Sequence, residues 1–280
     1  MISLKKLFLS IFVSFFCVKG NLYASEVKVS AFLRVKDEIK TIEACLESIK
    51  GVFDRIVIIH SNEKDDGSVA FMHKWCLKNK SAHCEIYEYP YDVIPSHSGK
   101  YSRKYNYENT LAAYNNFGLK YFDAEEWVVK IDADQVYLKE ELQKVVSKIK
   151  LENPDNTKYS LIGYNTFKWH DYLVKYKPTP FNGQNGDSYF VKRKNIDGFK
   201  HAGLYEITHY KNLKNKVKWQ TPVWFHFMKN LKTSGYIRDN NSVAKDSVLF
   251  LSSEEKQLFN NKIRPFLKNS EYYHIKLDEE

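Results

Sequence analysis

The sequence predicts an α/β fold built on a mostly parallel central sheet flanked by helices. The first observation is a short, mostly apolar, β-branched run, Trp127–Ile131, that ends in two carboxylates one residue apart, Asp132 and Asp134. Such a run suits a strand buried on both faces. The second is that the chain before it alternates strand-like and helix-like segments, which is the pattern of a doubly wound sheet. The third is that ligands of open α/β sheets sit beyond the carboxyl ends of the strands, where these two aspartates would stand.

The elements follow in order. Val27–Val35 reads as a strand, and Asp37–Lys50 as a helix with Ile39, Ile42, Cys45, Leu46 and Ile49 at helical spacing. Asp54–Asn62 is a second buried strand, followed by a turn around Asp65-Asp66-Gly67-Ser68 and a helix Val69–Lys78. Cys84–Tyr91 gives a third strand, Tyr101–Phe122 a tyrosine-rich helix, and Lys139–Lys150 a helix after the aspartates. The second half is less regular. Tyr159–Phe167, Asp187–Lys192 and Lys216–Met228 have strand character, the last interrupted by Pro222. Trp169–Asn185 reads as a long functional loop, and a helix is expected over Ser252–Phe266. The organisation is a leader over 1–24 and one domain over 26–280, with 26–150 as nucleotide-binding half and 151–280 as a less regular second half.

At 280 residues, 43% hydrophobic and 15% aromatic, the chain can bury a sizeable core and is not a disordered protein. Its formal charge of +9 suits an acidic partner such as a nucleotide sugar or anionic lipid. The excess is mainly lysine, with no arginine-rich helix, zinc-finger spacing or RNA-binding signature, so no nucleic-acid partner is expected. Lys5-Lys6 followed by the apolar run Leu7–Val18 has the length of a signal-peptide core. It is expected either to lie in the membrane interface or to be cleaved near Ala24. Outside the leader Cys45, Cys76 and Cys84 read as reduced thiols, with a Cys76–Cys84 bridge as the alternative.

Two carboxylates at a strand end repel each other unless a cation or strong donors lie between them. Mg²⁺ or Mn²⁺ held together with substrate phosphates meets that need, and a solvated pair opening a helix is the bland alternative.

The segments Phe32-Leu33-Arg34-Val35-Lys36-Asp37-Glu38, Leu46-Glu47-Ser48-Ile49, Asp66-Gly67-Ser68, Tyr89-Pro90-Tyr91, Tyr105-Asn106-Tyr107 and Trp127–Asp134 carry a resemblance. Together they resemble the bacterial β-1,4-N-acetylgalactosaminyltransferases that extend ganglioside-mimicking lipo-oligosaccharides, within the GT-A, family-2-like glycosyltransferases. The resemblance covers roughly residues 29–145 and thins out afterwards. It implies a GT-A fold, a UDP-sugar donor carrying GalNAc or a related hexosamine or hexose, and a glycan or glycolipid acceptor. It also implies a divalent ion, Mn²⁺ or Mg²⁺, with Asp134 as principal ligand and Asp132 facing ribose or metal-bound water. Arg34 and the backbone at Val35 would flank the nucleotide, and Asp66 would meet uracil or ribose. The alternatives are an Arg34–Glu38 surface pair and a plain turn role for Asp66. His226, among aromatics, is the implied further metal ligand or else a core histidine.

An inverting transfer needs a carboxylate to deprotonate the acceptor hydroxyl. Asp187 and Glu206 are the candidates, with Asp171 third, and Trp169, Tyr172 and Trp219 are candidates for stacking on sugar rings. Nucleotide sugars are cytosolic, so the catalytic domain is expected on the cytoplasmic face of the inner membrane, against anionic lipid. Export to the periplasm or secretion after cleavage is the alternative. Two other functions fit the residues less well. An exported carbohydrate-binding protein without catalysis has no need of paired acids, and a two-metal phosphoesterase needs a fuller set of His and Asp ligands at suitable spacing.

Overall fold

The structure is a computed structural model and describes residues 26–61, 66–94, 106–176, 188–202, 205–227, 248–270 and 272–277. The leader and Asp187 lie outside the described residues.

β1 (Val29–Val35), β2 (Arg55–Ser61), β3 (Cys84–Tyr89) and β4 (Trp127–Asp132) lie parallel in the order β3-β2-β1-β4. The chain therefore winds outward from β1 to β3 and then returns to the other flank of β1. Both faces of this half-sheet are covered, which is why β1, β2 and β4 read as mostly apolar runs, whereas the outer β3 carries Glu85 and Glu88. On one face α1 (Ile42–Ile49) and α2 (Ser68–Lys78) pack against Val29, Ala31, Leu33, Ile56 and Ile58. On the other, α3 (Leu111–Gly118) packs Ala112, Ala113 and Tyr114 against Phe32, Val57 and Ile59.

Helix boundaries depart from expectation for local reasons. Asp37 has φ 53, a left-handed conformation that no α-helix tolerates, so α1 starts at Ile42 rather than Asp37. α3 is held to Leu111–Gly118 by Thr110, whose hydroxyl accepts from the Ala113 amide at 3.2 Å, and by a 3₁₀ turn, Leu119–Tyr121, at its end.

After β4 the chain makes β5 (Gln135–Tyr137) and α4 (Lys139–Glu152), then β6 (Thr157–Trp169) and β7 (Tyr172–Tyr176). β7 falls inside the expected loop Trp169–Asn185. His170, at φ 51, turns the chain tightly enough for β7 to pair back on β6. β8 (Tyr189–Lys192) inserts antiparallel between β4 and β6 and extends the sheet. β9 (Ile196–Ala202) and β10 (Tyr205–Tyr210) form a separate antiparallel ribbon. It is fixed to α3 by Asn116, whose amide donates to the Phe199 carbonyl at 2.8 Å and accepts from its N–H at 2.7 Å.

β11 (Asn215–Phe227) runs parallel to β6 with register shifts on either side of Pro222, and its last residues pair antiparallel with β5. β12 (Val248–Phe250) edges β7, and α5 (Ser253–Leu258) follows with a Ser252/Glu255 capping box. The expected single helix to Phe266 becomes a π turn and a 3₁₀ turn, consistent with Pro265, which cannot donate to a helical ladder. Phe259, Ile263, Leu267 and Tyr272 from this tail pack behind Val136, Phe225 and Phe227, so the β5–β11 pairing rests on a solid backing.

Candidate functional site

The carboxyl ends of β1 and β4 meet where the strand order reverses, and there Arg34 and Asp132 are register partners. This is the position where open α/β sheets bind ligands. Arg34 donates through Nη2 to Asp132 Oδ1 at 2.6 Å and through Nη1 to Glu206 Oε1 at 3.0 Å. Lys130, two residues before Asp132 and so on the same strand face, brings Nζ to 3.6 Å from Asp132 Oδ2 and 3.9 Å from Glu206 Oε1. Asn115 of α3 also reaches Glu206, at 3.4 Å. Two cations thus balance two carboxylates, all four nearly buried.

Burial alone would raise the Asp132 carboxyl, but Lys130, Arg34 and His226 outweigh it and hold it well below the usual range. Glu206 behaves alike: burial pushes it up, and Arg34 and Lys130 bring it down further. Burial works against the charge of Arg34, yet Asp132 and Glu206 keep its pKa above the ordinary value. Cys45 lies beneath, its Sγ 3.8 Å from the Asp132 carbonyl; burial and the charges of Asp134 and Asp132 push the thiol up, so it is no nucleophile.

A tight turn carries the chain from Asp132 to Asp134, which is 2% exposed. Gln135 braces that turn, its side-chain oxygen accepting from Tyr137 Oη at 2.7 Å, Ser188 Oγ at 3.2 Å and the Asp132 amide at 3.4 Å. The β5–β11 ladder sets His226 opposite Gln135, and His226 Nε2 lies 3.1 Å from Asp134 Oδ1. His226 Nδ1 faces Asn165 Oδ1 at 3.3 Å. The Phe227 amide donates to the Asp134 carbonyl at 2.9 Å, locking the two segments together.

The structure therefore brings together Arg34, Asp132, Asp134, Glu206 and His226 from four separate stretches of sequence. Among the described residues no three His, Cys, Asp or Glu side chains converge on one metal position; the assembled donor pair is Asp134 with His226. Arg34 pairs with Asp132 and Glu206 rather than taking Glu38 as a surface partner. The Val35 carbonyl lies 3.0 Å from the Tyr114 hydroxyl, which is also 2.7 Å from the Ile59 carbonyl, so Tyr114 ties the ends of β1 and β2. Asp66 acts as a turn clamp: Oδ2 accepts from the Ile39 amide at 3.0 Å and Oδ1 from the Ser68 amide at 3.1 Å. Asp171 has an 80% exposed side chain near Lys168. Trp219 packs against the main core, and Tyr172 sits edge-on to Phe250. Sequence reasoning missed Lys130, Asn115 and Asn165. For Lys130 the signal was present, a lysine inside an apolar strand two residues before an acid. Cys45, Cys76 and Cys84 are free.

A charged cluster at the switch point of a doubly wound half-sheet, with an acid and an imidazole beside it, suits a nucleotide-sugar site, and the chain belongs to a glycosyltransferase family. That family is described as Beta-1,4-N-acetylgalactosaminyltransferase (CgtA), and it matches residues 16–277. No curated protein matches by sequence. Among solved structures, the crystal structure of S. aureus TarS is similar at a TM-score of 0.47 and 14% identity, covering 72% of this chain and 37% of that chain. The chain thus spans little more than a third of the TarS structure's length.

Proposed function

We propose that the protein moves a sugar, GalNAc or a related hexosamine or hexose, from a UDP-sugar to a cell-surface glycan with inversion at the transferred carbon. Beside the family membership, the observation that carries this reading is the Arg34–Asp132 pairing at the strand-order reversal, with Asp134 and His226 next to it.

The donors present suit a divalent ion. Cis ligands about 2.1 Å from an octahedral ion lie about 3.0 Å apart, and the Asp134–His226 separation is 3.1 Å. Donation of Nδ1–H to Asn165 would leave Nε2 presenting a lone pair to a carboxylate, an arrangement that needs a cation or proton between them. Asp134 and His226 would hold the ion, and carboxylate with imidazole suits Mn²⁺. When bound, it would supply Lewis acidity that stabilises the departing diphosphate.

The chain's own residues do the rest. Asp132, kept ionised and aimed by Arg34 and Lys130, accepts hydrogen bonds from donor hydroxyls. Its rigid setting means that no reorganisation is needed when the donor arrives. Glu206, shared among Arg34, Lys130 and Asn115, is held strongly anionic and is correspondingly a weak base. It is better suited to fixing the β9–β10 ribbon beside the donor than to taking a proton. Asp187 is the proposed base for the acceptor hydroxyl. The catalytic domain is placed on the cytoplasmic face of the inner membrane, where nucleotide sugars are found, with residues 1–24 in the interface. N-terminal sequencing of protein recovered from cells tests the placement, which fails if the mature chain begins at Ser25.

Donor hydrolysis by the purified protein across a panel of UDP-sugars, with and without Mn²⁺, tests the activity. Slow, metal-dependent release of UDP from one donor is expected, and loss of that release in Asp134→Ala. Release from none of them would point to a carbohydrate-binding protein.

A further inference from the structure

We propose that the sheet edge at which the chain enters β1 is a docking surface for an anionic bilayer, built on Lys211, Lys214, Lys216 and Lys218. The proposal rests on the placement at the inner membrane and deepens it by naming the face that meets the lipid.

Strand register defines that edge. β1, β4, β6 and β11 run parallel to one another, with β8 antiparallel between β4 and β6. Val29 is the partner of Trp127, Val128 and Lys158 both face Val191, and Thr157 is the partner of Asn215. The amino ends of the four parallel strands therefore form one row, and the turn before β11 lies at its end. Backbone hydrogen bonds hold the turn there: the Lys211 amide donates to the Asn195 carbonyl at 3.0 Å and the Lys214 amide to the Asn156 carbonyl at 2.8 Å. Four strand spacings separate Asn215 from Val29, about 19 Å along the row. The leader, with its apolar run Leu7–Val18, joins the fold at this same row, because Glu26 is three residues ahead of β1.

Charge then selects the partner. Residues 207–227 carry no acid, and 211–218 carry four lysines. Val217 and Trp219 pack against the main core, so Lys214, Lys216 and Lys218 alternate with them and face outward. All four lysines are exposed, and none makes an ion pair among the described residues. Acids along the row are matched by other cations: Asp155 Oδ1 lies 2.7 Å from Lys192 Nζ and 3.2 Å from Lys194 Nζ, and Glu125 Oε1 lies 2.8 Å from Lys194 Nζ. Lysine is a compact point charge without a rigid fork of donors, which suits a diffuse negative surface better than a shaped anion. Ahead of Trp224 the outer side of β11 faces no strand among the described residues, and lysines on such an edge can also serve merely to repel other strands. Charge of either sign does that, whereas docking on anionic lipid needs positive charge. β1 rises about 17 Å from Val29 to Arg34, so the donor site stands clear of the lipid and meets the outer sugars of a membrane-borne glycan.

The experiment is co-sedimentation of the full-length protein with vesicles of phosphatidylcholine alone and of two parts phosphatidylcholine to one part phosphatidylglycerol. The ratio of the two affinities cancels the apolar insertion of the leader, and comparison with the parent cancels the leader's own lysines. The parent should prefer the anionic vesicles by about 10-fold or more at about 0.1 M salt and lose most of that preference at about 0.5 M. Changing Lys214, Lys216 and Lys218 together to Glu should cut the preference by about 10-fold or more, and changing them to Arg should leave it within about 2-fold. Changing Lys74, Lys200 and Lys268 to Glu alters net charge equally at exposed positions elsewhere and should cost less than about 3-fold. Circular dichroism monitors the fold, and the milder change of Lys216 and Lys218 to Gln, expected to cost about 5-fold or more, decides the matter if the Glu variant does not fold. A folded Glu variant that keeps the parent's preference, as lysines that only guard an open edge would give, overturns the proposal. So does an equal loss in the control set, or a parent with no preference for the anionic vesicles. A mature chain beginning at Ser25 defeats the membrane placement itself, a result read by sequencing and independent of the vesicles.

Discussion

Arg34 and Asp132 are register partners across the β1–β4 ladder, and their side chains are ion-paired at 2.6 Å. The same guanidinium reaches Glu206 on β10, so one side chain joins two parallel strands to the separate β9–β10 ribbon. Breaking a buried pair by removing one partner leaves a charge in low dielectric, and this typically costs about 3–5 kcal/mol. Arg34→Met should lose about 3 kcal/mol or more in urea unfolding. A loss below about 1 kcal/mol would mean that the buried network relaxes without it.

His226→Ala should lower metal-dependent UDP-sugar hydrolysis by about 10–100-fold. Melting temperature should change little, because the ring is partly exposed and the strand is held by its ladder with β5. Hydrolysis within about 2-fold of the parent would assign His226 to the core rather than to the ion.

Gly163 sits where an added Cβ would come 2.1 Å from the Trp224 ring and 2.5 Å from its carbonyl oxygen. Gly163→Ala must therefore push β11 away from β6, at a cost of about 1–3 kcal/mol. Because Trp224 is two residues from His226, hydrolysis should fall as well. Thermal unfolding and turnover measured on the same preparation check both. An unchanged melting temperature would show that β11 gives way freely.

At the opposite end of the sheet Glu126 is buried under Arg55, whose Nε and Nη2 lie 2.8 and 2.7 Å from its oxygens, and it also accepts from Ser30. Burial raises the Glu126 carboxyl, but the hydrogen bonds from Arg55 and Ser30 outweigh it and set the folded value below the ordinary 4.5. A depressed folded pKa contributes stability that is full above the unfolded value and is lost as pH falls through the folded one. The urea midpoint should thus be flat from pH 7 to about 5 and decline below about 4. The decline should be shallower in Arg55→Met, and an equal slope in the two proteins would remove Glu126 from the account.

Much of the first half was legible because it obeys simple periodicities. β1, β2 and β4 are apolar runs because helices cover both sheet faces, and α2 lies within one residue of its expected start. β5 went unread because three residues are too few to show a period. β9 and β10 went unread because they form a ribbon outside the main sheet, and β9 buries only Ile196 and Phe199, three apart, which is neither an apolar run nor a strand-like alternation. The acids at the end of β4 could be read as a pair. Their different partners could not, since Asp132 meets Arg34 and Lys130 whereas Asp134 meets His226, which only the β5–β11 pairing delivers. The Arg34–Glu38 alternative rested on helical spacing, which the left-handed turn at Asp37 removes.

The strand order has a further consequence during synthesis. The ladder joining β1 to β4 links residues 98 positions apart, Arg34 and Asp132 among them. At about 5–20 residues per second, a ribosome needs roughly 5–20 s to supply the second neighbour of the first strand. Throughout that interval the nascent chain exposes an apolar flank ready to pair with any extended segment it meets. Yield in a foreign host should accordingly depend on chaperone supply and on slowing growth by cooling more than on the stability of the finished protein.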